Sequence, residues 1–290
     1  NIRKGNSGLK PSFNHNWNAN YNSFKAETQL GLWSWIFGGT TRNSIGNKVT
    51  YDYHGITTTE PININGNWNM GGGIGGNIGL GKEKKWSIGG NIGGGYDQNV
   101  GIYSNIDSLG VVSPDYRSTT RKPRYNLGGN VSYRNDFVSI ELRGRFNEEF
   151  TRNDVNTSAN TDISNFWYGT DMRFNMPWGT EIATDLRMNS RRGYQQKEFN
   201  TDELLWNASI SHSFLKGNAL TIKGEVYDIL GQQTNIRRTA NERMQSDSRT
   251  NGIYQYGLIS LIYRFSVFAG KNTMGTSQER KEQSQGGRGF

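Results

Sequence analysis

Between residues 62 and 80 the chain alternates with a period of two. Ile62, Ile64, Trp68, Met70, Ile74, Ile78 and Leu80 fall on even positions, with Gly66, Gly72 and Gly76 among them, whereas every odd position is Asn or Gly. Successive side chains of a strand point to opposite faces, so the segment predicts a strand with one apolar face and one made of Asn and Gly. At about 3.3 Å per residue it is far longer than the usual strand of about five or six residues in a soluble domain. The same parity recurs at residues 12–21, with Phe13, His15, Trp17, Ala19 and Tyr21 against Ser12 and Asn, and again at 86–96, 125–133, 138–146, 166–176, 181–188, 206–214, 220–226 and 253–267. Residues 27–38 carry two competing parities, Leu30, Leu32 and Ile36 against Trp33, Trp35 and Phe37. About eleven long two-faced strands are therefore expected.

A soluble barrel or sandwich would turn the apolar faces inward. Against it, Trp, Tyr and Phe gather near the strand ends, with small or aliphatic residues between them. That is the distribution of a lipid-facing band between aromatic girdles, and the Asn, Gly, Ser and charged parity suits a wet lumen. In lipid a sheet must close to satisfy its edges, so the predicted fold is an all-β transmembrane antiparallel β-barrel. The gaps alternate: 22–25, 81–85, 134–136, 177–179 and 215–218 are tight polar turns, whereas roughly 40–61, 97–123, 147–164, 190–203 and 231–252 are long. Barrels of the Gram-negative outer membrane have short periplasmic turns and long extracellular loops, which places the long segments outside. Eleven is odd where single-chain barrels are even, so the expectation is the C-terminal half of a barrel of about 22 strands. Residues 1–268 form this half, and 269–290, polar and of mixed charge, are expected to be a flexible periplasmic tail.

Composition fits once parity is known. Of 290 residues only 33% are hydrophobic, which alone suggests disorder, but 12% are aromatic, against that signature. No run approaches the ~18 apolar residues of a transmembrane helix. Cys is absent, which excludes disulfide scaffolds, zinc fingers and thiol nucleophiles. The opening Asn-Ile-Arg-Lys has neither a Met start nor a signal core, so any targeting segment is expected upstream.

Three segments carry a family resemblance. Gly5-Asn6-Ser7-Gly8-Leu9-Lys10-Pro11 resembles the element preceding a barrel strand in TonB-dependent receptors, with Ser7 where Pro is usual. Leu205–Ser211, Phe214–Asn218 and Val226–Gln232 resemble the penultimate hairpin of the TonB-dependent-receptor-like outer membrane protein β-barrel family, and Tyr254–Phe265 resembles its closing strand. The resemblance implies about twice as many strands, an N-terminal plug in the lumen and energised import through TonB. Some relatives act instead as parts of surface assemblies, with lipoprotein or other envelope partners, and a non-transporting scaffold remains the alternative to ligand import.

The chemistry-bearing residues are few. Gly71 to Gly76 matches G-x-G-x-x-G, but no helix is expected to follow and the alternation runs through it, so no nucleotide is expected. His15, His54 and His212 stand apart, without ligand spacing, and no metal or cofactor is expected. His212 lies on the opposite parity from Ser211 and Ser213, and His54 beside Asp52 has no positioned nucleophile, so catalysis is not expected. Glu141, Arg143, Arg145, Asp171, Arg173, Asp185, Arg187, Lys223 and Glu225 share the lumen parity. They either pair across the wall for stability or form a docking surface for a plug or a solute path. Tyr103, Tyr116 and Tyr194, with Arg237 and Arg238, fall in the long gaps and are candidates for extracellular recognition or for contact with the phosphates of outer-membrane lipid. The net charge of +8 is spread without a single basic stripe, which argues against nucleic acid.

Overall fold

The computed structural model describes residues 1–194, 197–215, 217–240, 245–250 and 252–265. The expected tail at 269–290 lies outside the described residues. Among the described residues sixteen strands follow one another: β1 (Ile2–Arg3), β2 (Phe13–Lys25), β3 (Leu30–Arg42), β4 (Ser44–Asp52), β5 (Thr57–Ile64), β6 (Asn67–Leu80), β7 (Trp86–Ile106), β8 (Tyr116–Arg134), β9 (Val138–Asn153), β10 (Thr161–Asn175), β11 (Thr180–Arg192), β12 (Asp202–Phe214), β13 (Leu220–Tyr227), β14 (Asn235–Ala240), β15 (Gln245–Thr250) and β16 (Tyr256–Tyr263). No helix among the described residues is long and apolar enough to cross a membrane.

Eleven strands form one continuous antiparallel wall in the order β2-β3-β6-β7-β8-β9-β10-β11-β12-β13-β16. They coincide with the eleven periodic segments of the sequence. Register keeps each parity on one face: Ile74 lies opposite Ile92, Ile92 opposite Leu127, Leu127 opposite Phe146 and Phe146 opposite Phe166. Among the described residues nothing covers the apolar face, with Ile92 at 58% and Leu127 at 56% exposure. Aromatic pairs bound it at both ends. Trp86 packs on Tyr133 (4.9 Å) and His212 on Phe214 (4.4 Å) near the short turns. At the other end Trp68 stacks on Tyr96 (5.0 Å) and Tyr125 meets Phe150 (5.7 Å). The all-β expectation therefore holds, while the wall is open, since β2 and β16 pair with each other nowhere among the described residues.

The short connections are built by residues that tolerate a positive φ or bond the local backbone. Gly81 (φ 79°) and Gly179 (φ 86°) turn the β6–β7 and β10–β11 hairpins. In the β8–β9 turn the Asn135 carboxamide oxygen accepts from the N–H groups of Phe137 (2.9 Å) and Val138 (2.7 Å).

The long gaps differ from the loops expected, because hairpin extensions occupy much of them. β7 runs on to Ile106 and β8 starts at Tyr116, so Tyr103 and Tyr116 are directly paired strand residues. The segment read as one strand from 62 to 80 is broken at Gly66 (φ 108°). Its first part is β5, which pairs with β4, while only β6 enters the wall. β6 accompanies β7 as far as Gln98, and β4 takes over in parallel from Ile102 to Ile106. An unpaired strand edge invites association, and here the β4–β5 hairpin covers it.

The buried core sits at this end. Val49 and Ser104 are almost wholly enclosed, Thr50 and Ser104 share a 2.8 Å hydroxyl contact, and Tyr51, Tyr103 and Tyr116 stack in sequence at 6.3 and 5.8 Å.

Candidate functional site

The polar face divides into two sectors. From β2 to β7 it is nearly uncharged over its glycine-rich stretch, carrying Asn18, Asn20 and Asn22 on β2, Gly71, Gly73 and Gly75 on β6 and Asn91 on β7. The register also decides the parity of β3. Leu32 and Ile36 join the apolar face, and Trp33, Trp35 and Phe37 face the polar side opposite Gly75, Gly73 and Gly71. A Cβ on those glycines would stand 2.6, 2.3 and 2.7 Å from the three rings. The glycines are therefore the seats of the aromatic side chains. The G-x-G-x-x-G match lies wholly within β6, with no helix after it.

From β9 to β13 the face is charged, and it gathers the residues singled out on the lumen parity. Glu141, Asp171, Asp185 and Asn207 lie in one cross-strand row. The adjacent row runs Arg143, Gly169, Arg187. Directly opposite positions in the acidic row therefore bear like charges, the two arginines of the second row stand either side of Gly169, and attraction acts on the diagonals: Arg143 Nη2 reaches Asp171 Oδ2 at 2.8 Å and Arg173 Nε reaches Glu181 at 3.7 Å. Asp185 is relieved by the Asn207 amide, which donates to it at 2.9 Å. Lys223 pairs with Glu225 two residues along the same strand, at 2.7 Å. Such partly exposed pairs individually contribute about 0–1 kcal/mol.

Trp167 ties the sector together. It lies directly opposite Arg145, and the guanidinium carbons of Arg143 and Arg187 each sit 5.6 Å from its ring centroid. Cation–π attraction spreads these charges over an aromatic face and offsets their mutual repulsion. A depression of about 370 Å³ opens on the row, lined among others by Arg134, Glu141, Asp171, Asp185, Asn207 and Glu225. Trp167 and Asn207 had the right parity for this sector, but neutral side chains are not visible as electrostatic partners before the register is known.

A second cluster, unforeseen in the sequence, lies beyond the aromatic rim. Arg191 Nη1 contacts Glu203, whose side chain is only 3% exposed and also accepts from the hydroxyls of Thr201 (3.1 Å) and Thr234. Asp228, nearly as buried, accepts from the N–H groups of Gln232 (3.1 Å) and Gln233 (2.9 Å). Together they clamp the ends of β11 and β12 to the segment after β13.

Of the recognition candidates, Tyr103 is the most enclosed. It is 5% exposed, with β4 paired alongside it, and its ring packs between those of Tyr51 and Tyr116. Tyr116 closes the same stack from β8. Tyr194 is at the β11–β12 tip, its N–H donating to Asn200 (2.9 Å) and its ring edge-on to Phe199. Arg237 and Arg238 are on β14, and their side chains lie outside the described residues. His212 Nδ1 is 2.7 Å from the Thr180 hydroxyl on the apolar face, and His54 is 3.9 Å from Asp52 in the β4–β5 turn. In the β6–β7 turn the Lys85 ammonium bonds the exposed Glu83 carboxylate and holds it below its usual range. Among the described residues no group of His, Cys, Asp and Glu is placed to hold a metal ion.

A family model described as outer membrane protein beta-barrel family matches residues 1–137, a span that contains β1 to β8. No curated protein and no solved structure matches the chain. The match, the uncovered apolar face and its aromatic rims agree on the membrane β-barrel fold.

Proposed function

We propose that the chain is part of the wall of an outer-membrane barrel that captures a ligand at its long-hairpin end and imports it, in the manner of TonB-dependent receptors. The observation that carries this reading is the charged sector of the polar face. Arg143 and Asp171 are still 42% and 40% exposed although they pair with each other. A face with its guanidinium and carboxylate groups half open is suited to hold polar contents, either a plug or a passing solute. Strand direction supports a wide lumen. With eleven strands alternating in direction, β2 and β16 run the same way, so they cannot close on each other as an antiparallel pair. Additional strands, a plug and TonB as partner belong to the proposal.

The competing reading, a barrel that scaffolds a surface assembly with a lipoprotein or other envelope protein, draws on the packed β4–β5–β7 end, which offers a folded platform for a partner. Uptake separates the two. Cells carrying the protein are expected to accumulate at least one of a graded set of labelled peptides and oligosaccharides only while the proton gradient is intact. Arg143→Ala with Arg173→Ala is expected to lower that uptake while leaving the amount of assembled barrel unchanged. Uptake indifferent to both the gradient and the double substitution would favour the scaffold.

A further inference from the structure

Just beyond the Tyr125–Phe150 contact, the apolar face bears two arginines directly across from each other, Arg121 on β8 and Arg152 on β9. Like charges in directly opposed positions destabilise a ladder. Arg152 is answered by Asp162 and lies 5.4 Å from the Phe150 ring. Arg121 is exposed and makes no ion pair among the described residues, and its neighbour on β7 is the uncharged Gln98. Glu148, the outward carboxylate lower on β9, is engaged by the Ser164 hydroxyl at 2.5 Å. An unanswered cation beside a second arginine, at the level of an aromatic rim, is suited to an anion.

Below the arginines the apolar surface is hollowed. A groove of about 620 Å³ runs between Leu127, Phe146 and Phe166 over Gly129 and Gly144. Internal packing does not require those glycines: a Cβ would meet nothing nearer than 3.6 Å at Gly129 and 3.5 Å at Gly144, ordinary contact distances. From Arg121 to Leu127 is six residues, which at about 3.3 Å each and a tilt of about 40° descends about 15 Å, half the hydrocarbon thickness of about 30 Å. The cation and the groove are thus spaced as the two ends of a lipid in one leaflet.

We propose that Arg121 and Arg152, with the groove at Leu127 and Phe146, bind a phosphate-bearing membrane lipid, its phosphate between the guanidinium groups and an acyl chain in the groove. The site rests on the membrane reading above. The phosphate relieves the opposed charges through charge-assisted hydrogen bonds, and the chain fills space that the protein leaves empty. A free phosphate would meet the first requirement alone, whereas one lipid meets both.

The test is native mass spectrometry of the full-length protein, extracted from its membrane in detergent and titrated with dioleoylphosphatidylglycerol. Retention of one lipid per chain is expected. Arg121→Gln should weaken it about fivefold, the share of one basic side chain near a membrane surface, and Arg121→Lys should restore most of the loss. Gly129→Leu, which fills the groove without altering charge, should also weaken it, and excess inorganic phosphate should not displace the lipid. Undiminished binding in both Arg121→Gln and Gly129→Leu overturns the site, as does displacement by inorganic phosphate. Recovery in the outer-membrane fraction is read alongside. Failure there overturns the membrane reading and the site with it, whereas normal recovery with unchanged lipid binding overturns the site alone.

Discussion

Gly73→Val is expected to abolish assembly of the wall, with loss of the compact, heat-sensitive band that folded barrels show on gels. A Cβ at Gly73 would stand 2.3 Å from the Trp35 ring and 2.8 Å from the Ile92 carbonyl oxygen. Neither neighbour has room to move. The carbonyl belongs to the β6–β7 ladder, and the Trp35 ring is bracketed by Trp33 over Gly75 and Phe37 over Gly71. Overpacking typically costs about 1–3 kcal/mol and more where relaxation is blocked, which is a large share of the stability of a domain. Trp35→Ala in the same chain removes the ring and should restore part of the folded fraction, leaving the carbonyl contact. Gly129→Ala supplies the control, since its Cβ would be 3.6 Å from the nearest atom, and it should assemble as the parent does. Normal assembly of Gly73→Val would mean that the rings do not rest on β6.

The second large effect is expected at Arg191. Its guanidinium is the cation beside Glu203, whose side chain is 97% enclosed. Arg191→Met leaves that carboxylate buried without its counter-charge, and removing one partner of a buried pair costs about 3–5 kcal/mol. The loss should appear in urea unfolding and as faster proteolysis of the β11–β12 tip, which the same cluster clamps. Arg191→Met with Glu203→Leu should recover most of it, because a matched apolar pair has no charge to desolvate. If the single and double variants were equally unstable, the charge would not be the cause.

Both effects hinge on register, and this is where the sequence stopped short. All eleven wall strands were legible, because a strand between lipid and water must alternate and the alternation is written residue by residue. The rims were legible in part, since Trp86, Tyr133 and Tyr125 end their apolar runs, whereas Phe150 falls in the stretch 147–164 expected as a loop and joins the rim only because β9 runs on to Asn153. The charged sector was recognised by parity, yet its pairing was not: Arg143 answers Asp171 on the diagonal, and Trp167 serves two arginines, which no count along one strand reveals. The parity of β3 stayed open because Leu32 and Trp33 are both apolar; Gly73 and Gly75 across the ladder settled it by leaving space for the rings. Gly66 was read as one more small residue of a long strand, since nothing in the alternation distinguishes a glycine at φ 108° from one that is extended.

By itself, then, the sequence determined that the chain is a wall of two-faced strands with lipid-type apolar surface, short turns at one end and long excursions at the other. These follow from parity and turn chemistry, which act within a few residues. The tertiary structure decided that the excursions are partly hairpins, that β4 pairs alongside Tyr103, and that Glu203 is buried beside Arg191. Each of these joins residues far apart in the chain, and only the register of one strand against the next brings them within reach.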